Sequence, residues 1–176
     1  MNFTKEQIQQ QLNNCLIGHC SNGHLDLAEL LINKAGVDVN ARDDMTDETA
    51  LMGACQGGHV MMVSYLLERG ADVNAKQHCR HWQGVTALMK ASSVGNEEIV
   101  KILLENGADV HMMNSTGKTA LIVAQIKEHT TIVELIKNHI YRIICLVIKK
   151  GLTQKGNKPL LRYAHREIIN HIASFF

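Results

Sequence analysis

Residues 49–74 read TALMGACQGGHVMMVSYLLERGADVN, and residues 86–111 read TALMKASSVGNEEIVKILLENGADVH. Their apolar, small and glycine positions align along almost the whole length. The same order recurs more loosely from Asn14 (NCLIGHCSNGHLDLAELLINKAGVDVN) and from Thr119 (TALIVAQIKEHTTIVELIKNH). The leading residues Asn14, Thr49, Thr86 and Thr119 are spaced by 35, 37 and 33 residues, and ten positions after each stands His24, His59, Asn96 or His129. An internal period of this size marks a solenoid, in which one supersecondary unit stacks on copies of itself.

Each punctuation residue has a physical cause. Thr49, Thr86 and Thr119 stand where a hydroxyl satisfies the free N–H groups at the start of a short helix. Gly58 and Gly95 stand where that helix ends in a left-handed residue. Val63, Leu66 and Leu67, then Ile99, Val100, Leu103 and Leu104, recur at helical spacing and predict one apolar stripe on a second helix. Gly36, Gly70 and Gly107 close that helix. Ala54, Ala91 and Ala124 are small because successive units must approach closely. Neither helix is long enough to stand alone in water, so stacking must supply the stability.

At these residues the chain resembles the ankyrin repeat family. The TALM segments are similar to its T-P-L-H motif, and Gly23-His24 and Gly58-His59 to its Gly-His pair. Val37-Asp38-Val39-Asn40 and Ala71-Asp72-Val73-Asn74 are similar to its A-D-V-N segment. The resemblance covers about residues 14–139 and rests on several motifs recurring in order and in phase. Ala replaces the family Pro throughout, and Ile17, Met52, Met89 and Ile122 replace its His. The fourth copy, with Glu128 in place of Gly, is the weakest match. The resemblance implies an all-α ankyrin repeat solenoid of antiparallel helix pairs with finger loops, first helices lining a concave face.

The expected organisation is an N-terminal cap extension over 1–13, four repeats over 14–48, 49–85, 86–118 and 119–139 (the last degenerate), and a helical cap or truncated fifth repeat over 140–176. Thr4 and Gln7 have capping-box spacing and extend the first helix. Arg142 to Gly151 reads as a further second helix with its closing Gly, and Gly156 to Ala164 as the start of another first helix.

The length, 45% hydrophobic content and net charge of +1 fit one ordinary globular domain. The low aromatic content suits a core of Ala, Leu, Ile and Val. The N-terminus shows no basic start followed by an apolar stretch. The strongest apolar run, Ile143 to Ile148, falls far short of the roughly 20 residues that span a bilayer. Five cysteines without framework spacing, two of them (Cys20 and Cys55) at equivalent inward positions, predict a reduced, cytoplasmic protein.

Charge is unevenly spread. Asp26 to Asp72 holds nine acidic residues against three basic, whereas Lys137 to Arg166 holds eight basic and none acidic. The late cluster gives an alternative function, binding an anionic surface such as nucleic acid or acidic lipid. Two connections exceed the family length, 41–48 by one residue and 75–85 by four. Solenoid insertions map to loops on one face, often the binding face. Trp82, the only Trp, sits in the longer one.

No catalytic, cofactor or metal site is expected. His78, Cys79 and His81 resemble metal ligands, but no second Cys/His pair completes a closed set. Asp43, Asp44, Asp47 and Glu48 read as a solvated, self-repelling finger. His24, His59 and His129 share a repeat position, so they report architecture rather than a nucleophile's base.

The expected function is binding of a partner protein by a monomer, with no small-molecule substrate. The finger residues Arg42, Asp43, Asp44, Met45, Asp47, Arg80, His81, Trp82, Ser115 and Lys118 should face the partner, with the first-helix tips Ser21, Asn22, Gln56, Ser93 and Lys127. These match positions that ankyrin repeats commonly use, and Trp and Arg are favoured contact anchors. Richness in Ile, Lys and Asn with a single Pro suggests a bacterial effector delivered into a host cell, or a small adaptor.

Overall fold

The computed structural model describes residues 4–79 and 82–153, with 147–153 as backbone only. Eight helices occupy the described residues: α1 (Lys5–Ser21), α2 (Leu25–Asn33), α3 (Ala50–Gly57), α4 (Val60–Glu68), α5 (Ala87–Val94), α6 (Glu97–Glu105), α7 (Ala120–Ile126) and α8 (Thr130–Thr153). The only β feature among them is an isolated antiparallel bridge between Arg42 and Thr49. The chain divides into two compact units, Met1–Leu135 and Ile136–Phe176. In the first, α1, α3, α5 and α7 stack in one layer, and α2, α4 and α6 pair with α1, α3 and α5. This is the all-α repeat solenoid that the periodicity predicts.

The caps form as the residue types require. The Thr49, Thr86 and Thr119 hydroxyls accept from the backbone N–H of Met52, Met89 and Ile122, each at 3.4 Å. Thr4 and Gln7 make a reciprocal capping box at the start of α1, which runs through Asn14 without a break. The core is the apolar stripe of the repeats. Leu66, Ile99, Val100 and Leu103 are fully buried, as are Ala54, Ala91 and Ala124 at the close approaches between units. Cys20 and Cys55 are buried among them, and burial pushes the Cys20 thiol up to about 12 and that of Cys55 higher still. Both act as small apolar residues rather than nucleophiles.

Hydrogen bonds between repeats set the stacking register. The His59 ring meets the Ser21 carbonyl at 3.0 Å, and the His129 ring meets the Ser93 carbonyl at 3.3 Å. The Asn40 amide donates to the Gly70 carbonyl and accepts from the Asp72 N–H, and Asn74 repeats this with Gly107 and Asp109. The third copy ends in His111, which has no such amide to offer. The fourth copy correspondingly has no Gly-Ala-Asp break to receive it. Ile140 stands where Gly107 would recur, and α8 continues unbroken to Thr153. The 139/140 boundary therefore falls inside one helix, and Gly151 lies within α8 rather than closing it. The segment 156–164 lies outside the described residues.

Glu128 holds the turn between α7 and α8 without glycine. Its φ of 61° repeats the left-handed turns at Gly23, Gly58 and Gly95, and the His129 N–H still reaches the Ala124 carbonyl at 3.0 Å. A side chain in this region costs about 1–2 kcal/mol, part of which glycine's greater freedom in the unfolded chain offsets. Glu128→Gly is expected to stabilise by about 1 kcal/mol, raising Tm by roughly 2–4 °C at this chain length. A lower Tm would contradict this account of the turn.

Two helical glycines carry opposite expectations. A Cβ at Gly18 meets nothing within 4 Å, whereas one at Gly57 would collide with the Ser21 carbonyl oxygen and lie 2.6 Å from the His59 ring. Gly18→Ala should stabilise by about 0.5–1 kcal/mol through helix propensity. Gly57→Ala should instead destabilise by about 1–3 kcal/mol, because the intruding carbon forces the second repeat off the first. Paired thermal melts check the opposite signs.

Candidate partner-binding groove

Of the finger at 75–85, residues 75–79 and 82–85 are described, and backbone hydrogen bonds join the two segments. The Gln77 N–H donates to the Val85 carbonyl at 3.0 Å, and the Gly84 N–H to the Gln77 carbonyl at 2.7 Å. The Gln77 side chain is buried and donates to the Thr46 carbonyl in the preceding finger at 3.0 Å. The Ser115 N–H of the following finger donates to the Gln83 carbonyl at 2.8 Å. The loop carrying Trp82 is thus tied to its neighbours on both sides. Trp82 itself is 54% exposed.

Under this finger lies a groove of roughly 220 Å³. Val85, Met89, Val123 and Ile126 supply apolar lining, with Trp82 on the finger side. Gln56, Ser93, Asn114 and Thr116 supply neutral polar groups, and Lys90, Lys118 and Lys127 supply the charge. The Lys90 ammonium stands 5.7 Å from the centre of the Trp82 ring and 2.8 Å from the Glu48 carboxylate. That ion pair and cation–π contact fix Lys90 beside the indole. Lys118 and Lys127 make no ion pair among the described residues. The Asn114 carboxamide oxygen accepts from the Thr116 N–H and hydroxyl and from the Lys118 N–H, so the third finger is also shaped before any partner arrives.

Of the residues expected to face a partner, Gln56, Trp82, Ser93, Lys118 and Lys127 are gathered at this groove. Ser115 is exposed beside it. Arg80 and His81 lie outside the described residues. At the first finger, Met45 is 81% exposed and offers an apolar tip. The charged residues around it are largely engaged. The Arg42 guanidinium binds the Asp47 carboxylate at 2.6 Å and the Lys76 carbonyl at 2.8 Å. Asp47, at a φ of 56°, also accepts the His78 N–H at 2.7 Å. Asp43 caps the Thr46 N–H and hydroxyl, and Asp44 accepts the Asn14 amide at 2.9 Å. The reading of this loop as a solvated, self-repelling finger is therefore corrected, because its carboxylates hold the loop together and tie it to the next finger. Ser21 bonds the Ile17 carbonyl and Asn22 the Gly18 carbonyl, both within α1 or at its end.

Val85, Met89, Lys90, Asn114, Thr116, Val123 and Ile126 were not expected at the site. Ile126, 56% exposed, carried a readable sign, being an apolar residue off the buried stripe of a short helix. Among the described residues, no cluster of three or more His, Cys, Asp or Glu side chains is arranged to hold a metal ion. Nor is any helix among them long and apolar enough to cross a membrane.

The repeat geometry defines a solenoid that presents a surface, and comparison with known proteins agrees. A family model for ankyrin repeats (3 copies) matches residues 3–77 and 88–173, and one for ankyrin repeats (many copies) matches 53–104. The chain belongs to the ankyrin repeat family. It is similar to the Ankyrin repeat and KH domain-containing protein mask-1 of Caenorhabditis elegans, 41% identical over 68 residues, which are 39% of this chain and 2% of that protein. It is also similar to the Ankyrin repeat domain-containing protein 29 of Danio rerio, 39% identical over 77 residues, 44% of this chain and 24% of that protein. The chain spans less than a quarter of the length of either relative. Ankyrin repeats are generally protein–protein interaction modules.

Proposed function

We propose that this chain binds a partner protein in the groove between the second and fourth repeats and along the finger loops, without catalysing a reaction. The observation that carries this reading is Trp82, a half-exposed indole on a loop tied at both sides and set over an apolar groove. An aromatic anchor held in place before binding loses little freedom on association, and such anchors dominate interface energies. Ser93→Arg fills the groove from α5 and should abolish partner capture by the intact chain. Glu105→Arg, at the exposed end of α6, should leave capture unchanged. Equal capture by both variants would overturn the reading.

The proposed setting is delivery from a bacterium into a host cell, where the chain occupies a docking surface of a host protein. Its richness in Ile, Lys and Asn with a single Pro supports this. A reporter fusion that never reaches the host cytosol would contradict it. The anionic-surface alternative rests on the eight basic residues from Lys137 to Arg166, of which Lys155, Lys158, Arg162 and Arg166 lie outside the described residues.

A further inference from the structure

The groove's own chemistry restricts what enters it, granted the reading above that it is the binding site. Its volume of roughly 220 Å³ is below the ~300–1,000 Å³ of sites that enclose small molecules. It is suited to a single protruding side chain. The apolar lining of Val85, Met89, Val123 and Ile126 calls for an apolar side chain at that point. The charges lining the groove are Lys90, Lys118 and Lys127, with no carboxylate among the lining residues. Glu48 neutralises Lys90, which leaves Lys118 and Lys127 as the positive charges a partner meets. On the other side of the Trp82 finger, Asp44 is exposed and repels an acidic segment, so complementarity favours the α7 side. Gln56, Ser93, Asn114 and Thr116 offer neutral donors and acceptors to a peptide backbone.

We infer that the occupant is an acidic peptide segment of the partner, with one apolar side chain inserted between Trp82 and the α5–α7 lining and carboxylates over Lys118 and Lys127. A phosphate backbone would also meet the lysines, but it has no use for an apolar slot, whereas a peptide with an apolar anchor uses both features. Opposite charges steer such a segment in and fix its register, an effect weakened by salt.

Selection of random peptides displayed on phage against the intact chain tests this. The expected result is enrichment of sequences carrying Asp or Glu beside one large apolar residue. The selected synthetic peptide should lose about 30-fold in affinity with Trp82→Ala. It should lose roughly 10-fold or more with Lys118→Glu combined with Lys127→Glu, both at exposed positions that leave the fold intact. Helical circular dichroism of each variant separates lost binding from lost structure. Enriched peptides without acidic residues that still require Trp82 would overturn the acidic-segment inference and leave the groove standing. Acidic peptides indifferent to Trp82 and to the paired lysine change would overturn both. Failure to enrich any binder, or displacement of the peptide by single-stranded oligouridylate, would also overturn the inference.

Discussion

Leu103→Ala is expected to lower the unfolding free energy by about 2–5 kcal/mol, the range for deleting a fully buried leucine and leaving a cavity. Leu103 is completely buried on α6, which pairs with α5 in its own repeat and stacks on α4 of the repeat before. In a solenoid, stability is the sum of intrinsic repeat terms and nearest-neighbour interfaces. Damage at an inner repeat therefore weakens that repeat and its coupling to the adjoining ones. Natural domains hold only about 5–15 kcal/mol in total, so the loss is a large share. Denaturant unfolding followed by circular dichroism should show a lower midpoint. It should also show a shallower transition if the repeats uncouple. Labelling of the buried Cys55 thiol, one repeat away, should accelerate as the stack opens. A midpoint within experimental error of the parent would mean that the apolar stripe is not the source of stability.

The second large effect is on binding. Trp82→Ala should weaken the complex with the captured partner by about 2 kcal/mol or more, close to 30-fold in Kd. The loss should appear mainly as faster dissociation, because an inserted anchor acts after encounter. Met45→Ala is the informative comparison. Met45 is more exposed than Trp82, yet it lies at the tip of the first finger and does not line the groove. Exposure alone would make Met45 the larger contributor, whereas a braced anchor over a groove makes Trp82 the larger. Surface plasmon resonance on both variants decides between them.

Local chemistry made most of the fold legible. A Thr that caps a helix, a Gly that enters the left-handed region and a Leu pair at helical spacing act over a few residues, and all three recur in phase. The fourth inter-helix turn was less so, because Glu128 occupies a conformation that its residue type disfavours and neighbouring hydrogen bonds hold it there. Periodicity also placed Gln56, Ser93 and Lys118 on one side, since first-helix tips and fingers repeat in step. It could not show that Arg42 and Asp47 are spent on each other and on the next finger, because the Arg42 bond to the Lys76 carbonyl crosses 34 residues. A charged loop read one residue at a time shows no such partner. Nor could it separate Met89 and Val123 from ordinary core. These apolar residues lie on the stacking helices, and they line the groove together with Trp82 and Val85 from a loop distant in local pattern.

A partner seated in the groove beside Trp82 perturbs the backbone amides that surround it. The most direct test is nuclear magnetic resonance mapping of backbone amide shifts in the intact chain as the captured partner, or the selected peptide, is added. The largest changes are expected at residues 82–93 and 114–127, with α2 and α4 nearly unmoved. Changes concentrated on α2, α4 and α6, with the Trp82 indole N–H signal undisturbed, would contradict it.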